Sequence, residues 1–565
     1  MAAPLALTPS LEDEDKKDYD LPSTEEPAQQ TRVKKYFGTA QVDPPRTLKS
    51  RHLVLLSIGG TIGTGIFFSL GSSVATAGAG GALVAYILVG LFCLGVVLLL
   101  GEMSAFIPVS GSFSTYGTRF VSPALGFTLG WSYWLQWSFS IPSELIAAST
   151  ILSYWTNALK AWEWSLVIIV PVFAFQFLGS RAWAEAEFYL AYVKVILIVL
   201  FIIVGIIYDA GGIAGHPGPG LSNFNTDTFM SGFAGTAQAF TYAFYSFGGV
   251  ELVTIAAGEA RDPHKSIPRA IRGTFARIVI FYIMVCLVIG LCISSSDPSL
   301  FTAYDDSDVS VSPITTVFKL AGFRAAVHIV NAVLLTAVLS ATNSCFFASS
   351  RMLLSLARQG DAPKVFSWVT KNGVPVPALL VTLAVSFLSF LTAVWGSGQA
   401  FTWLISLTGI LALVTWMSIA VIHLRFRLAF SRQQRAFSDL PFKAPLAPYL
   451  SAWVLILGVL MLAANGWAPT TYGSSASQLA KDEVAVFIGL AYFIVLYIGY
   501  SIYHKRTSTA PHFVPLADVD LLTAAVWGPG GGAVERETAA AEKTALKQEK
   551  GTKGYALHRV KEALW

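Results

Sequence analysis

Lys194 lies about ten residues into an apolar segment, 185–208, and Glu144 lies in the otherwise uncharged run from Ala124 to Leu159. At 1.5 Å per residue, ten residues reach roughly 15 Å, half the thickness of a bilayer core. A lysine there costs about 2.5–3.5 kcal/mol on insertion scales, so it faces a cavity or a partner unless it can snorkel to the surface. Ten residues is far for a side chain to reach. Desolvation disfavours the charged form and makes the group able to exchange a proton. Glu144 follows Trp131, Trp134 and Trp137 and suits contact with a substrate side chain, a proton path or a polar partner.

Backbone chemistry is signalled elsewhere. Five glycines fall within Gly59-Gly60-Thr61-Ile62-Gly63-Thr64-Gly65-Ile66-Phe67-Phe68-Ser69-Leu70-Gly71. Each costs a helix interior about 0.5–1 kcal/mol relative to alanine, so the cluster favours a break whose freed N–H and C=O groups can bind a ligand. Irregular backbone at membrane depth persists only where it lines a protein cavity. A second such stretch, Tyr245 to Gly258, places Gly248-Gly249 and Glu251 in another apolar segment. Close packing of small residues between helices is the competing account of both.

Composition supplies the elements that hold these groups. Of 565 residues, 54% are hydrophobic and 13% charged, which marks an all-α integral membrane chain. Twelve transmembrane helices are expected near 53–73, 82–107, 124–153, 164–180, 185–208, 232–257, 276–294, 326–356, 378–395, 401–424, 450–467 and 484–503. The two glycine-rich breaks then fall in helices 1 and 6, five helices apart, which points to a 5+5 inverted repeat with the site between the broken members. Lys and Arg gather in the connections after the even helices, for example Lys265, Arg269 and Arg272, or Arg425, Arg427 and Arg432. That asymmetry sets both termini in the cytoplasm.

Residues 1–48 and 507–565 read as cytoplasmic N- and C-terminal tails, disordered or only partly helical, flanking the helical domain at 49–506. Lys16, Lys17, Lys34, Lys35 and the C-terminal lysines offer sites for ubiquitination or trafficking machinery. The net charge of +4 reflects loop asymmetry and implies no nucleic-acid partner. Cys93, Cys286, Cys292 and Cys345 sit in or at the ends of apolar segments and do not suggest a disulfide framework. No phosphate-binding loop, cofactor motif or metal-ligand spacing among the histidines is present, so the enzyme reading has no support.

The residues resemble those of the yeast-type, or fungal, amino-acid permease family of the amino acid-polyamine-organocation superfamily. Besides the first glycine stretch, the motifs are Gly101-Glu102-Met103 through Val109-Ser110-Gly111-Ser112-Phe113, then Pro142-Ser143-Glu144-Leu145, and Ala257-Gly258-Glu259-Ala260 through Pro268-Arg269-Ala270-Ile271. They continue with Asn343-Ser344, Ser350-Arg351-Met352-Leu353 and Leu440-Pro441-Phe442-Lys443-Ala444-Pro445. The resemblance runs in order over roughly residues 45–510. It implies a LeuT-type fold, with helices 11 and 12 outside the repeats, and proton-coupled amino-acid import across the plasma membrane by alternating access.

On that resemblance, N–H groups at Ile62, Gly63, Thr64 and Gly65 receive an amino acid's carboxylate, and carbonyls near Tyr245, Ser246 and Phe247 take its ammonium. Tyr245 or Phe247 closes over the substrate. Ser340 and Asn343 reach the site from helix 8, and Lys194, with Glu144, couples to protons where sodium-coupled relatives bind a cation. Membrane lipid is a further partner. A non-transporting amino-acid receptor of the same fold, or an amino-acid exchanger, is the alternative, and side-chain specificity stays open.

Overall fold

The computed structural model describes residues 62–541 except 110, 227, 261, 298–299, 301–311, 324 and 472–475, together with 544, 545 and 548. The N-terminal tail with its four lysines, Gly59 to Thr61, Ser110 and the acidic loop at Asp305 lie outside the described residues. Among the described residues every regular element is a helix, with one isolated bridge between Ile213 and His216.

A π-helical turn, Gly65–Ser69, runs into α1 (Leu70–Phe106), which bends at Gly78. Then come α2 (Pro123–Ser153), α3 (Ala161–Phe175), α4 (Gly179–Asp209), α5 (Gly232–Phe247) and α6 (Pro263–Arg277). The rest are α7 (Met284–Cys292), α8 (Ala326–Gln359), α9 (Val376–Ser386), α10 (Thr392–Arg432, bent at Gly396), α11 (Tyr449–Trp467) and α12 (Ala476–Thr507). Local chemistry sets several boundaries. Pro123 occupies the first turn of α2, where its missing N–H costs nothing, and the Ser122 hydroxyl accepts the Leu125 N–H at 3.2 Å.

The apolar run from 232 to 257, which carries the second glycine-rich stretch, is interrupted. α5 stops at Phe247, Gly248 is extended at ψ 138°, Gly249 turns at φ 83°, and helix resumes only at Leu252–Ile255. A side chain at Gly249 would be strained in that left-handed conformation.

Among the described residues, eight helices are long and apolar enough to cross a membrane, two of them, Gly65–Phe106 and Val376–Arg432, containing the Gly78 and Gly396 bends. α2 and α5 are not in that set. α2 exchanges hydropathy for Gln136, Ser138, Ser143 and Glu144, all buried, and packs against α8 and α10, while α5 packs against α1. The polar face of α2 therefore points into protein.

At one end of the bundle, where the loop arginines gather, Glu102 is fully buried near the end of α1. Arg427 donates to both its oxygens at 2.5 Å, His423 Nε2 lies 3.1 Å from Oε1, and the Ala444 N–H donates to Oε2 at 2.6 Å. The C-terminal residues cross the same end. Where composition suggests disorder or partial helix, residues 513–530 form an irregular strap with Val514, Val519 and Leu521 buried, and a helix follows at 531–541. Asp520 in this strap pairs with Arg119 at 3.0 Å. Burial raises its carboxyl, but Arg119 and the N–H groups of Leu522 and Thr523 outweigh that and hold it below the usual carboxylate range.

Candidate functional site

A cavity lies where the Gly63–Gly65 stretch, α2, the end of α5, α8 and α10 meet. Its polar lining comes from Gln136, Ser140, Glu144, Tyr245, Ser246, Ser344 and Thr408. Gln136, Ser140 and Glu144 are spaced four apart and form one stripe along α2.

Glu144 occupies the backbone seat. The Thr64 N–H donates to Oε1 and Oε2 at 3.3 and 3.4 Å, and the Thr64 hydroxyl donates to Oε1 at 2.9 Å. The Tyr245 hydroxyl lies 2.6 Å from Thr64 Oγ1, 3.0 Å from Ser143 Oγ and 3.4 Å from Glu144 Oε1. A carboxylate thus sits on an amide of the glycine stretch, held there by neutral donors.

The glycines make this approach possible. A Cβ on Gly63 would fall 2.7 Å from Glu144 Oε1, and one on Gly65 would fall 2.5 Å from the Ser246 Cα. The second contact is with backbone and cannot relax by rotating a side chain. Ser246 donates to the Gly65 carbonyl at 2.9 Å, stitching the glycine stretch to α5.

Lys194 is buried in α4 and pairs with Glu187 at 3.0 Å. Glu187 is also buried, and its Oε2 accepts from Ser340 at 2.5 Å and from Ser344 at 3.3 Å. Ser344 in turn lines the cavity. Two α8 hydroxyls and a carboxylate thereby connect the lysine to the cavity wall.

Gly63, Thr64, Gly65, Glu144, Tyr245 and Ser246 come together around the cavity, while Ile62 is buried beside it. Phe247 does not join them: its ring stacks on Tyr282 at 4.1 Å, while Tyr245, Phe244 and Trp137 are the aromatics that line the cavity. The Tyr245 and Phe247 carbonyls accept the N–H groups of Gly248 and Val250 in the turn after α5. Ser340 binds Glu187, and Asn343 accepts from Gln176, so neither hydroxyl nor amide is directed at the cavity. Glu187, Gln136, Ser140 and Ser344 are site residues that the sequence reading does not single out. The four-residue stripe on α2 and the i, i+7 spacing of Glu187 and Lys194 are the signals that mark two of these groups.

The chain matches the family model described as Amino acid permease over residues 52–510. It is 39% identical over 465 residues to the lysine-specific permease LysP of Escherichia coli, covering 81% of this chain and 93% of that protein. It is 35% identical over 499 residues to the general amino-acid permease GAP1 of Saccharomyces cerevisiae, covering 86% and 81%. Among solved structures, a manganese transporter of Eremococcus coleocola aligns with a TM-score of 0.53 at 14% identity, over 83% of this chain and 98% of that one. That likeness concerns fold alone. These relatives are permeases rather than enzymes, and the chain belongs to the amino acid permease family of the amino acid-polyamine-organocation superfamily.

Proposed function

We propose that this protein imports amino acids across the plasma membrane by alternating access, driven by the proton gradient. In this reading twelve helices cross the membrane with both termini in the cytoplasm, helices 1 and 6 are broken, and residues 49–506 form the transport domain. The observation that carries it is the Glu144 carboxyl on the Thr64 amide and hydroxyl, at the wall of a polar-lined cavity.

An α-amino acid brings a carboxylate of its own. Two carboxylates cannot share the Thr64 donors, because like charges at that distance repel strongly in a dry site. The substrate carboxylate takes the seat, and Glu144 turns to the substrate ammonium or takes up a proton. A zwitterion suits this exchange, supplying the anion for Thr64 and the cation for the displaced Glu144. Tyr245, bonded to both Thr64 and Glu144, reports the exchange by changing partners. The Lys194–Glu187 pair is the proposed proton-coupling unit, linked through Ser344 to the same cavity. A proton and a substrate drive the cycle only by binding the two conformations with different affinity.

The test is uptake of each radiolabelled amino acid at pH 4.5 and 7.5 in a yeast lacking its own permeases, with and without protonophore, beside Lys194→Met. Import that is faster in acid, abolished by protonophore and lost in the variant supports the whole reading. Protein at the cell surface with no flux of any amino acid favours the receptor, flux stimulated by internal substrate favours the exchanger, and flux indifferent to pH removes proton coupling.

A further inference from the structure

The strap at 513–530 is fastened to elements far apart in the chain. The Val514 N–H donates to the Val121 carbonyl at 2.9 Å, and Arg425 bridges the carbonyls of Phe120 and Val514. Arg119 donates to the carbonyls of Asp520 and Thr523 at 2.5 and 2.8 Å, and Gln433 to those of Leu516 and Val519 at 3.2 and 2.7 Å. Further on, the Val526 N–H donates to the Phe106 carbonyl at 2.9 Å. Trp527 Nε1 donates to the Asp439 carbonyl at 2.7 Å, and the Gly530 N–H to its carboxylate at 3.0 Å.

These anchors belong to the end of α1, the segment entering α2, the end of α10 and the connection after it. One peptide therefore ties α1 and α2 to α10 at the arginine-rich end of the bundle. Alternating access requires helix ends on one side to part while those on the other close. A strap hydrogen-bonded to both groups resists that parting, and buried Val514, Val519 and Leu521 oppose its release.

We propose that residues 513–530 form a latch that holds this end of the bundle shut and must loosen for the cavity to open there. The proposal rests on the transport reading above. It names a regulatory element built into the chain: whatever loosens the strap speeds opening, and whatever tightens it slows the cycle.

The test is a reversible lock in the full-length protein. Val121→Cys with Val514→Cys places two thiols on residues joined by a backbone hydrogen bond. The native cysteines are all buried. Uptake of a mixture of the twenty radiolabelled amino acids into proteoliposomes with an imposed proton gradient is compared before and after oxidation. The expected result is at least a ten-fold loss on oxidation, restored by dithiothreitol, with Trp527→Ala transporting faster than the unmodified protein. Oxidised protein as fast as reduced protein overturns the latch and leaves the transport reading intact. If the reduced pair is inactive while the parent transports, Phe106→Cys with Val526→Cys makes the same test. A parent protein that imports none of the twenty brings down the transport reading and the latch with it.

Discussion

Glu102 and Glu144 are both buried glutamates on helices packed within one bundle, and their surroundings are opposites. Glu102 is saturated by charge: Arg427 on both oxygens, His423 beside one and a backbone N–H on the other. Glu144 is held by the hydroxyls of Thr64 and Tyr245 and by one amide, with Lys194 already engaged by Glu187. A carboxylate bound by cations has no reason to leave, whereas one bound by neutral donors can be exchanged for another anion. On the transport proposal, a buried carboxyl is thus a lock at one place and an exchangeable occupant at the other.

The sharpest way to break this comparison is to neutralise each glutamate. Glu102→Gln leaves Arg427 uncompensated and should cost about 3–5 kcal/mol of stability, read as lost monodisperse protein in detergent. Glu144→Gln should keep its folded yield and lose uptake. Equal damage to folding from both changes would erase the distinction.

Asp361 extends the comparison to a carboxylate outside the spanning segments. It lies past the end of α8 with Tyr500 as a neutral donor at 3.2 Å, and burial outweighs that bond to push its carboxyl up to about 6. Because the folded value is raised, the cost of ionising it is absent below the unfolded value near 3.9, grows as pH rises and is complete above about 6. Asp361→Asn should therefore stabilise by about 2–3 kcal/mol at pH 7.5, with the gain vanishing toward pH 4 in thermal melts. A gain independent of pH would show that the carboxyl is not what is costly.

Gly65→Ala tests the cavity side more finely. Its Cβ meets the Ser246 backbone, an overpacking worth about 1–3 kcal/mol, and uptake should fall with little change in surface expression. The smallest effect is expected for Tyr245→Phe. It removes one hydroxyl shared by Thr64, Ser143 and Glu144 and should raise the apparent KM by about two- to ten-fold, read from uptake against substrate concentration.

The burial of Lys194 is legible in the sequence, because a lysine ten residues into an apolar segment needs a cavity or a partner. The identity of its partner is less so, since Glu187 reads as a residue near a helix end until α8 brings Ser340 and Ser344 against it. The interruption at Gly248 and Gly249 follows from glycine's cost in a helix. That Phe247 faces Tyr282 rather than the cavity depends on a rotation about α5 which composition does not encode. Asn343 and Ser340 lie on the right helix, but their bonds go to Gln176 and Glu187, choices made by neighbouring helices. The strap escapes a composition-based reading because its partners are backbone carbonyls and distant arginines, and its apolar content is only a few residues.

The strap also bears on how the molecule is assembled. It lies C-terminal to every helix it binds, so it leaves the ribosome after all of them. Until then Arg119, Arg425 and Gln433 face an unfinished surface, and Phe106 offers a carbonyl without its donor. The bundle's arginine-rich face is therefore completed only after the last spanning helix has been made. A chain cut before residue 513 lacks the carbonyls of Val514, Asp520 and Thr523 that Arg425 and Arg119 bind, a difference by which an incomplete copy is physically distinct from a finished one.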